Sequence, residues 1–130
     1  MDGASGRVLI MDDEPSLLRM MSVYLERLGY SVTRAANAAE AWAKVEAAAG
    51  DLDLVVLDCT VPGLSVEELA LRILKSISSV RIIGASGYPV DMTALAAVAP
   101  GRVMFLQKPF SPEALAAAVR RMLGGQEEAV

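Results

Sequence analysis

Two groups of acids stand directly behind apolar runs, a position in which a carboxylate is not an ordinary solvated charge. Leu54-Val55-Val56-Leu57 runs into Asp58, and Val8-Leu9-Ile10-Met11 runs into Asp12-Asp13-Glu14. Runs of this kind bounded by turn signals, here Pro62-Gly63, are strands buried on both faces in a parallel sheet. The acids then sit at the carboxyl ends of the strands, the edge of an open parallel sheet where ligands bind. If the two strands are neighbours, Asp12, Asp13 and Asp58 converge on one pocket. Carboxylates within about 4–6 Å oppose one another's ionisation unless a cation lies among them, so these residues suggest a metal site. The same crowding predicts that removing the charge of Asp13 relaxes the metal-free fold. Lys108, just past the run Val103-Met104-Phe105-Leu106, is aimed at the same edge. Histidine is absent, which excludes histidine-based catalysis, a zinc site of the usual kind and phosphohistidine on this chain.

The elements that must position these groups alternate strictly. A strand over Arg7–Met11 leads to Pro15, suited to a first helical position. Leu17, Leu18, Met21, Tyr24, Leu25 and Leu28 then form one stripe at helical spacing, closed by Gly29. Ser31–Ala35 reads as a second strand. Asn37 and Glu40 form a capping pair for a helix through about Ala49, with Gly50-Asp51 as its stop. After the central strand, Ser65-Val66-Glu67-Glu68 is a capping box for a helix with Leu69, Ile73, Leu74 and Ile77 on its inner side. Val80–Ala85 is a fourth strand and Ser86-Gly87-Tyr88-Pro89 a loop. A short alanine-rich helix follows from Asp91 to about Ala99, then a fifth strand over Val103–Gln107. Ser111, Pro112 and Glu113 open the last helix, which turns Leu115, Val119, Met122 and Leu123 inward and ends at Gly124-Gly125. Five strands alternating with five helices predict a doubly wound α/β domain. Its limits are set at residues 7–124, with a flexible arm over 1–6 and a tail over 125–130.

Composition bounds the function. A chain of 130 residues fits one domain. Its hydrophobic content of 54% is largely alanine, and no apolar stretch approaches the roughly 18 residues a spanning helix needs. No membrane association is expected. The lone Cys59 and the lack of a leader-like opening predict a cytoplasmic protein without disulfides. A net charge of −4 with 12 scattered basic residues argues against nucleic acid as a partner.

Taken together, Asp12-Asp13-Glu14 after the first strand, Asp58 followed by Val61-Pro62-Gly63 after the third, Ser86 after the fourth and Lys108-Pro109-Phe110 after the fifth resemble the receiver domain of two-component response regulators. The resemblance runs from about Arg7 to Leu123. It implies a flavodoxin-like strand order 2-1-3-4-5 and magnesium-dependent phosphorylation of an aspartate by a histidine kinase or histidine phosphotransfer protein, read out by a downstream effector. It further implies that Asp58 is the phosphoacceptor, that Asp12, Asp13, Asp58 and the carbonyl of Thr60 serve the magnesium ion, and that Asp12 acts largely through water. Lys108 would bind the phosphoryl group, Ser86 and Phe105 would form the switch, and Thr60 and Tyr88 would tune dephosphorylation. The family also has a cis peptide at the bond matching Lys108-Pro109.

Each assignment has a plainer rival: a solvated turn for the acid pair, a surface lysine, a loop serine, a core phenylalanine, and loop surface for Thr60 and Tyr88. Cys59 should point away from its neighbour and serve packing. Three other functions compete. A dehalogenase-type aspartyl phosphatase needs a second aspartate two residues after the nucleophile, where Thr60 stands. A flavodoxin needs a hydroxyl-rich loop after the first strand, where acids stand. A pseudo-receiver would act as a docking module without phosphorylation, although every chemical position is filled here. Val61, and Ser65-Val66 where the family commonly has Asp-Gly, depart from the usual pattern near the third helix. The domain itself is expected to be a signalling module, not an enzyme acting on an external substrate.

Overall fold

The apolar runs Val8–Met11, Leu54–Leu57 and Val103–Leu106 become strands. In the computed structural model, which describes residues 6–60, 66–88 and 92–128, β1 (Arg7–Met11), β2 (Ser31–Ala35), β3 (Leu54–Asp58), β4 (Arg81–Ser86) and β5 (Val103–Gln107) form one parallel sheet. Its order is β2-β1-β3-β4-β5. The helices between and after the strands are α1 (Pro15–Arg27), α2 (Ala38–Ala48), α3 (Val66–Ser76), α4 (Thr93–Val98) and α5 (Pro112–Glu128).

Alternation along each strand divides the core in two. Leu9 and Met11 of β1, with Val55 and Leu57 of β3, pack against α2 and α3. Val8, Ile10, Leu54 and Val56 face the other way, onto Met21 and Leu25 of α1 and Leu115 and Val119 of α5. β3 lies in the middle and is buried along its whole length. Asp58 is therefore carried at the end of a fully buried strand, with helices on both faces to exclude water. No helix among the described residues is long and apolar enough to cross a membrane.

The helix ends follow their local chemistry. Pro15 is at the first position of α1, as expected, and the Glu14 side chain accepts a hydrogen bond from Leu17 N at 2.6 Å. At the other end Tyr30 N donates to Leu25 O and Gly29 N to Glu26 O, with Gly29 at φ 111. This is the reciprocal pair of bonds that a left-handed glycine permits just past a helix. Leu28 consequently leaves the inward stripe and is 36% exposed. Asn37 caps α2 by accepting from Glu40 N at 2.9 Å, and Glu40 Oε1 accepts from Ala36 N at 2.8 Å. Arg102, just before β5, donates to the carbonyls of Leu74, Ile77 and Val80 and so closes the end of α3 and the turn beyond it.

Four boundaries differ from the sequence expectation. β4 is shifted one residue later, so that Ser86 is its last member and not a loop residue. Val80 is buried but stands in the turn after α3, its N–H directed to Ile77 O. α4 is shorter than expected, and Asp91 lies outside the described residues. α5 does not stop at Gly124-Gly125: Gly124 leaves helical geometry at φ −115 and ψ 22, and helix resumes to Glu128, in keeping with the helix preference of Gln and Glu. Gly6 is not part of a free arm, since its carbonyl accepts from Ser31 N at 2.9 Å. Residues 1–5, Ser65 of the expected capping box and the Val61-Pro62-Gly63 turn lie outside the described residues.

Candidate functional site

Strand register delivers the polar groups to one edge. Met11 is level with Leu57, and Asp58 with Ala85, so Asp12 and Asp58 leave neighbouring strands side by side. Ser86 is level with Gln107 and its carbonyl accepts from Lys108 N at 2.8 Å. The ends of β1, β3, β4 and β5 thus bring Asp12, Asp58, Ser86 and Lys108 together, as the sequence placed them. The Lys108-Pro109 bond is cis.

Both inner carboxylates are fully engaged. Asp12, only 1% exposed, accepts from Glu14 N on Oδ1 at 2.9 Å and from Lys108 Nζ on Oδ2 at 2.9 Å. Asp58, 2% exposed, accepts from Thr60 N at 3.0 Å and Thr60 Oγ1 at 2.7 Å, both on Oδ1, while its Oδ2 lies 3.4 Å from Lys108 Nζ. Asp13 is exposed, and one carboxylate oxygen from each of Asp12, Asp13 and Asp58 falls within 4.8 Å of the others. An all-oxygen set of this size, with one member open to water, suits a hard divalent cation that keeps several of its waters. Glu14 is not part of it, being turned to the first turn of α1.

Ser86 is buried, and its Oγ accepts from Tyr88 N at 3.1 Å. Tyr88 itself is 72% exposed. Phe105 is half-buried on β5, level with Gly84 of β4. Cys59 is half-buried, with its Sγ 3.1 Å from the position a Cβ on Gly84 would take. That places the thiol against the sheet, where burial pushes its pKa up, in keeping with packing and not reactivity. Two features of the site were not read from the sequence: Glu14 as the cap of α1, and the hydroxyl of Thr60 on the Asp58 carboxylate. The first had a signal, an acid directly before Pro15.

The electrostatics of Asp12 and Lys108 pull in opposite senses. Burial raises the Asp12 pKa above its ordinary 3.8, against the lowering effects of the Glu14 N–H and Lys108. Burial also presses on the Lys108 ammonium, but the hydrogen bond and charge of Asp12, together with Asp58, outweigh it and the pKa rises above 10.5. The lysine is satisfied by two carboxylates, whereas the carboxylates share one lysine. The relief expected from the sequence at Asp13 therefore belongs mainly to Asp12, because water screens Asp13.

An acid whose folded pKa is raised binds its proton more tightly when folded. Its ionisation lowers stability as pH climbs above 3.8, and below that value the penalty is absent. Asp12→Asn should stabilise the cation-free protein at pH 7 by about 1 kcal/mol. The gain should vanish towards pH 3, and Asp13→Asn should gain less. Urea melts in EDTA across this pH range test it, and a destabilised Asp12→Asn protein at pH 7 would contradict it.

Comparison with known proteins agrees with this arrangement. Residues 8–120 match the family described as the response regulator receiver domain. The chain is 36% identical over 124 residues to the sensor kinase CckA of Brucella abortus (strain 2308), covering 95% of this chain and 13% of that protein. It is 34% identical over 123 residues to the DNA-binding transcriptional regulator NtrC of Rhizobium meliloti (strain 1021), covering 95% of this chain and 25% of that protein. The chain thus spans a quarter or less of these two relatives. Among solved structures, response regulator protein TrrA of Thermotoga maritima in complex with Mg2+ and BeF superposes with a TM-score of 0.76 at 31% identity, covering 91% of this chain and 99% of that one. With the fold, the acidic edge and the match over nearly its whole length in agreement, this chain belongs to the family of response regulator receiver domains.

Proposed function

We propose that residues 7–124 form a phosphoacceptor receiver that takes a phosphoryl group from a histidine kinase or histidine phosphotransfer protein onto Asp58 and passes the event to an effector protein. The observation that carries this reading is the pairing of Asp58, buried and fixed at the end of the central strand, with Lys108 at 3.4 Å. An oxygen of Asp58 attacks phosphorus in line and forms the new O–P bond. The bond to the donor breaks, with its electron pair leaving on the donor's imidazole nitrogen or, from acetyl phosphate, on acetate. Lys108 supplies positive charge at the transferring oxygens, and the sheet holds the nucleophile in place, so the protein contributes position and electrostatics. Asp12, Asp13, Asp58 and the Thr60 carbonyl would hold magnesium, which when bound neutralises charge on the phosphoryl oxygens.

In the same reading Ser86 and Phe105 are two parts of one switch that the phosphoryl group biases, and Thr60 and Tyr88 govern how water reaches it. The domain works in the cytoplasm. The relatives include both a kinase and a DNA-binding regulator, so a similar domain accompanies both kinds of protein. The scattered basic residues speak only for this domain's own surface, and no output is assigned to the chain. Incubation with acetyl phosphate tests the proposal. The intact mass should gain one phosphoryl group with magnesium present and none with EDTA, and a wild-type protein that gains none under either condition would overturn it.

A further inference from the structure

The hydrogen bonds around the two buried carboxylates share a pattern. Each has one oxygen held by the backbone N–H two residues further on, Glu14 for Asp12 and Thr60 for Asp58, and the other directed to Lys108. Asp58 Oδ1 carries one donor more, the Thr60 hydroxyl at 2.7 Å, the shorter of its two bonds. A backbone amide at a strand end cannot move aside without disturbing the chain. A threonine hydroxyl can, by rotation about one bond. Thr60 is exposed, so once released its hydroxyl finds water as a partner.

We propose that the Thr60 hydroxyl is a latch on the acceptor carboxylate: it holds Asp58 Oδ1 in the cation-free protein and competes with the divalent cation for that oxygen. Thr60 is then a positioning residue that sets how readily the site loads, a role separate from any effect on dephosphorylation. The inference rests on the reading of Asp12, Asp13 and Asp58 as a cation site. A carboxylate oxygen already accepting two hydrogen bonds has less electron density to offer a metal, and one of the two must lengthen or break when the cation binds. Removing the hydroxyl removes that step, while the Thr60 N–H and carbonyl remain.

Calorimetric titration with magnesium chloride alone, on the whole chain without a phosphodonor, tests the latch. Thr60→Val keeps the branched shape without the hydroxyl and should bind magnesium about threefold to tenfold more tightly than wild type, the net worth of one hydrogen bond. Thr60→Ala should shift affinity the same way, which separates loss of the hydroxyl from any effect of the valine methyl. Thr60→Ser restores the donor and should return to the wild-type value. Equal or weaker binding by both Thr60→Val and Thr60→Ala would overturn the latch while leaving the cation site standing. Absence of magnesium binding in wild type and variants alike would overturn both.

Discussion

Asp58→Asn should take up no phosphoryl group from acetyl phosphate, a loss of more than about 10³-fold on the scale of removing a covalent nucleophile. The reason is chemical and not structural. An amide is isosteric with the carboxylate and keeps an oxygen to accept from Thr60 N and Oγ1. The amide NH2 then stands where Oδ2 lay, 3.4 Å from the Lys108 ammonium, a donor facing a donor, but Lys108 keeps Asp12 at 2.9 Å, and the apolar residues of β3 on which the side chain stands are untouched. The variant should therefore fold and melt close to wild type in EDTA. Intact mass after incubation with magnesium checks the result. Undiminished phosphorylation in a well-folded Asp58→Asn protein would remove Asp58 from the role.

Lys108→Met should have the largest effect on stability. It leaves Asp12 and Asp58, 1% and 2% exposed, facing each other with no cation between them. Breaking a buried pair by removing one partner costs about 3–5 kcal/mol. With the lysine side chain 19% accessible, we expect about 2–3 kcal/mol in EDTA at pH 7. Magnesium should return part of this, because ligand binding to the folded state stabilises by about 2.7 kcal/mol at a hundredfold excess over Kd. Acid should return part of it too, since protonating Asp12, whose pKa is raised, ends the repulsion. In wild type the sign at high pH is fixed by the raised Lys108 pKa: its contribution is complete below 10.5 and is lost as pH rises through the folded value. Phosphorylation of the variant should slow about a hundredfold for want of charge at the transferring oxygens. A Lys108→Met protein as stable as wild type in EDTA would show that the ion pairs at this edge contribute nothing.

How much of this was legible depended on whether local pattern or tertiary placement decides. The continuous apolar runs ending in Asp12, Asp58 and Gln107 gave the bounds of β1, β3 and β5 correctly, for β1 and β3 because a strand buried on both faces has few polar positions to blur its limits, and for the half-buried edge strand β5 because its run is apolar all the same. β4 was displaced by one residue for the converse reason. Ser86 is polar and begins a Ser-Gly-Tyr sequence that reads as loop, yet it pairs with Gln107 and is buried. The three carboxylates were found from type and position alone. Which of the first two is buried was not, because neighbouring Asp12 and Asp13 are identical in sequence terms and only the turn into α1, pinned by Glu14 N on Asp12 Oδ1, sends one inward and one out. The Thr60 hydroxyl escaped notice since nothing in a sequence says which rotamer a threonine adopts. Gly124 showed the opposite limit: a glycine broke helical geometry as expected but did not end the helix.

The most direct measurement of the central claim locates the phosphoryl group itself. Wild-type protein phosphorylated with acetyl phosphate and magnesium is reduced with borohydride, which converts an aspartyl phosphate to homoserine, and is then mapped by peptide mass spectrometry. The account predicts homoserine at position 58 and at no other aspartate, with none formed in EDTA. Homoserine at Asp12 or Asp13, or a phosphoryl group that resists reduction because it sits on a serine or threonine hydroxyl, would contradict it.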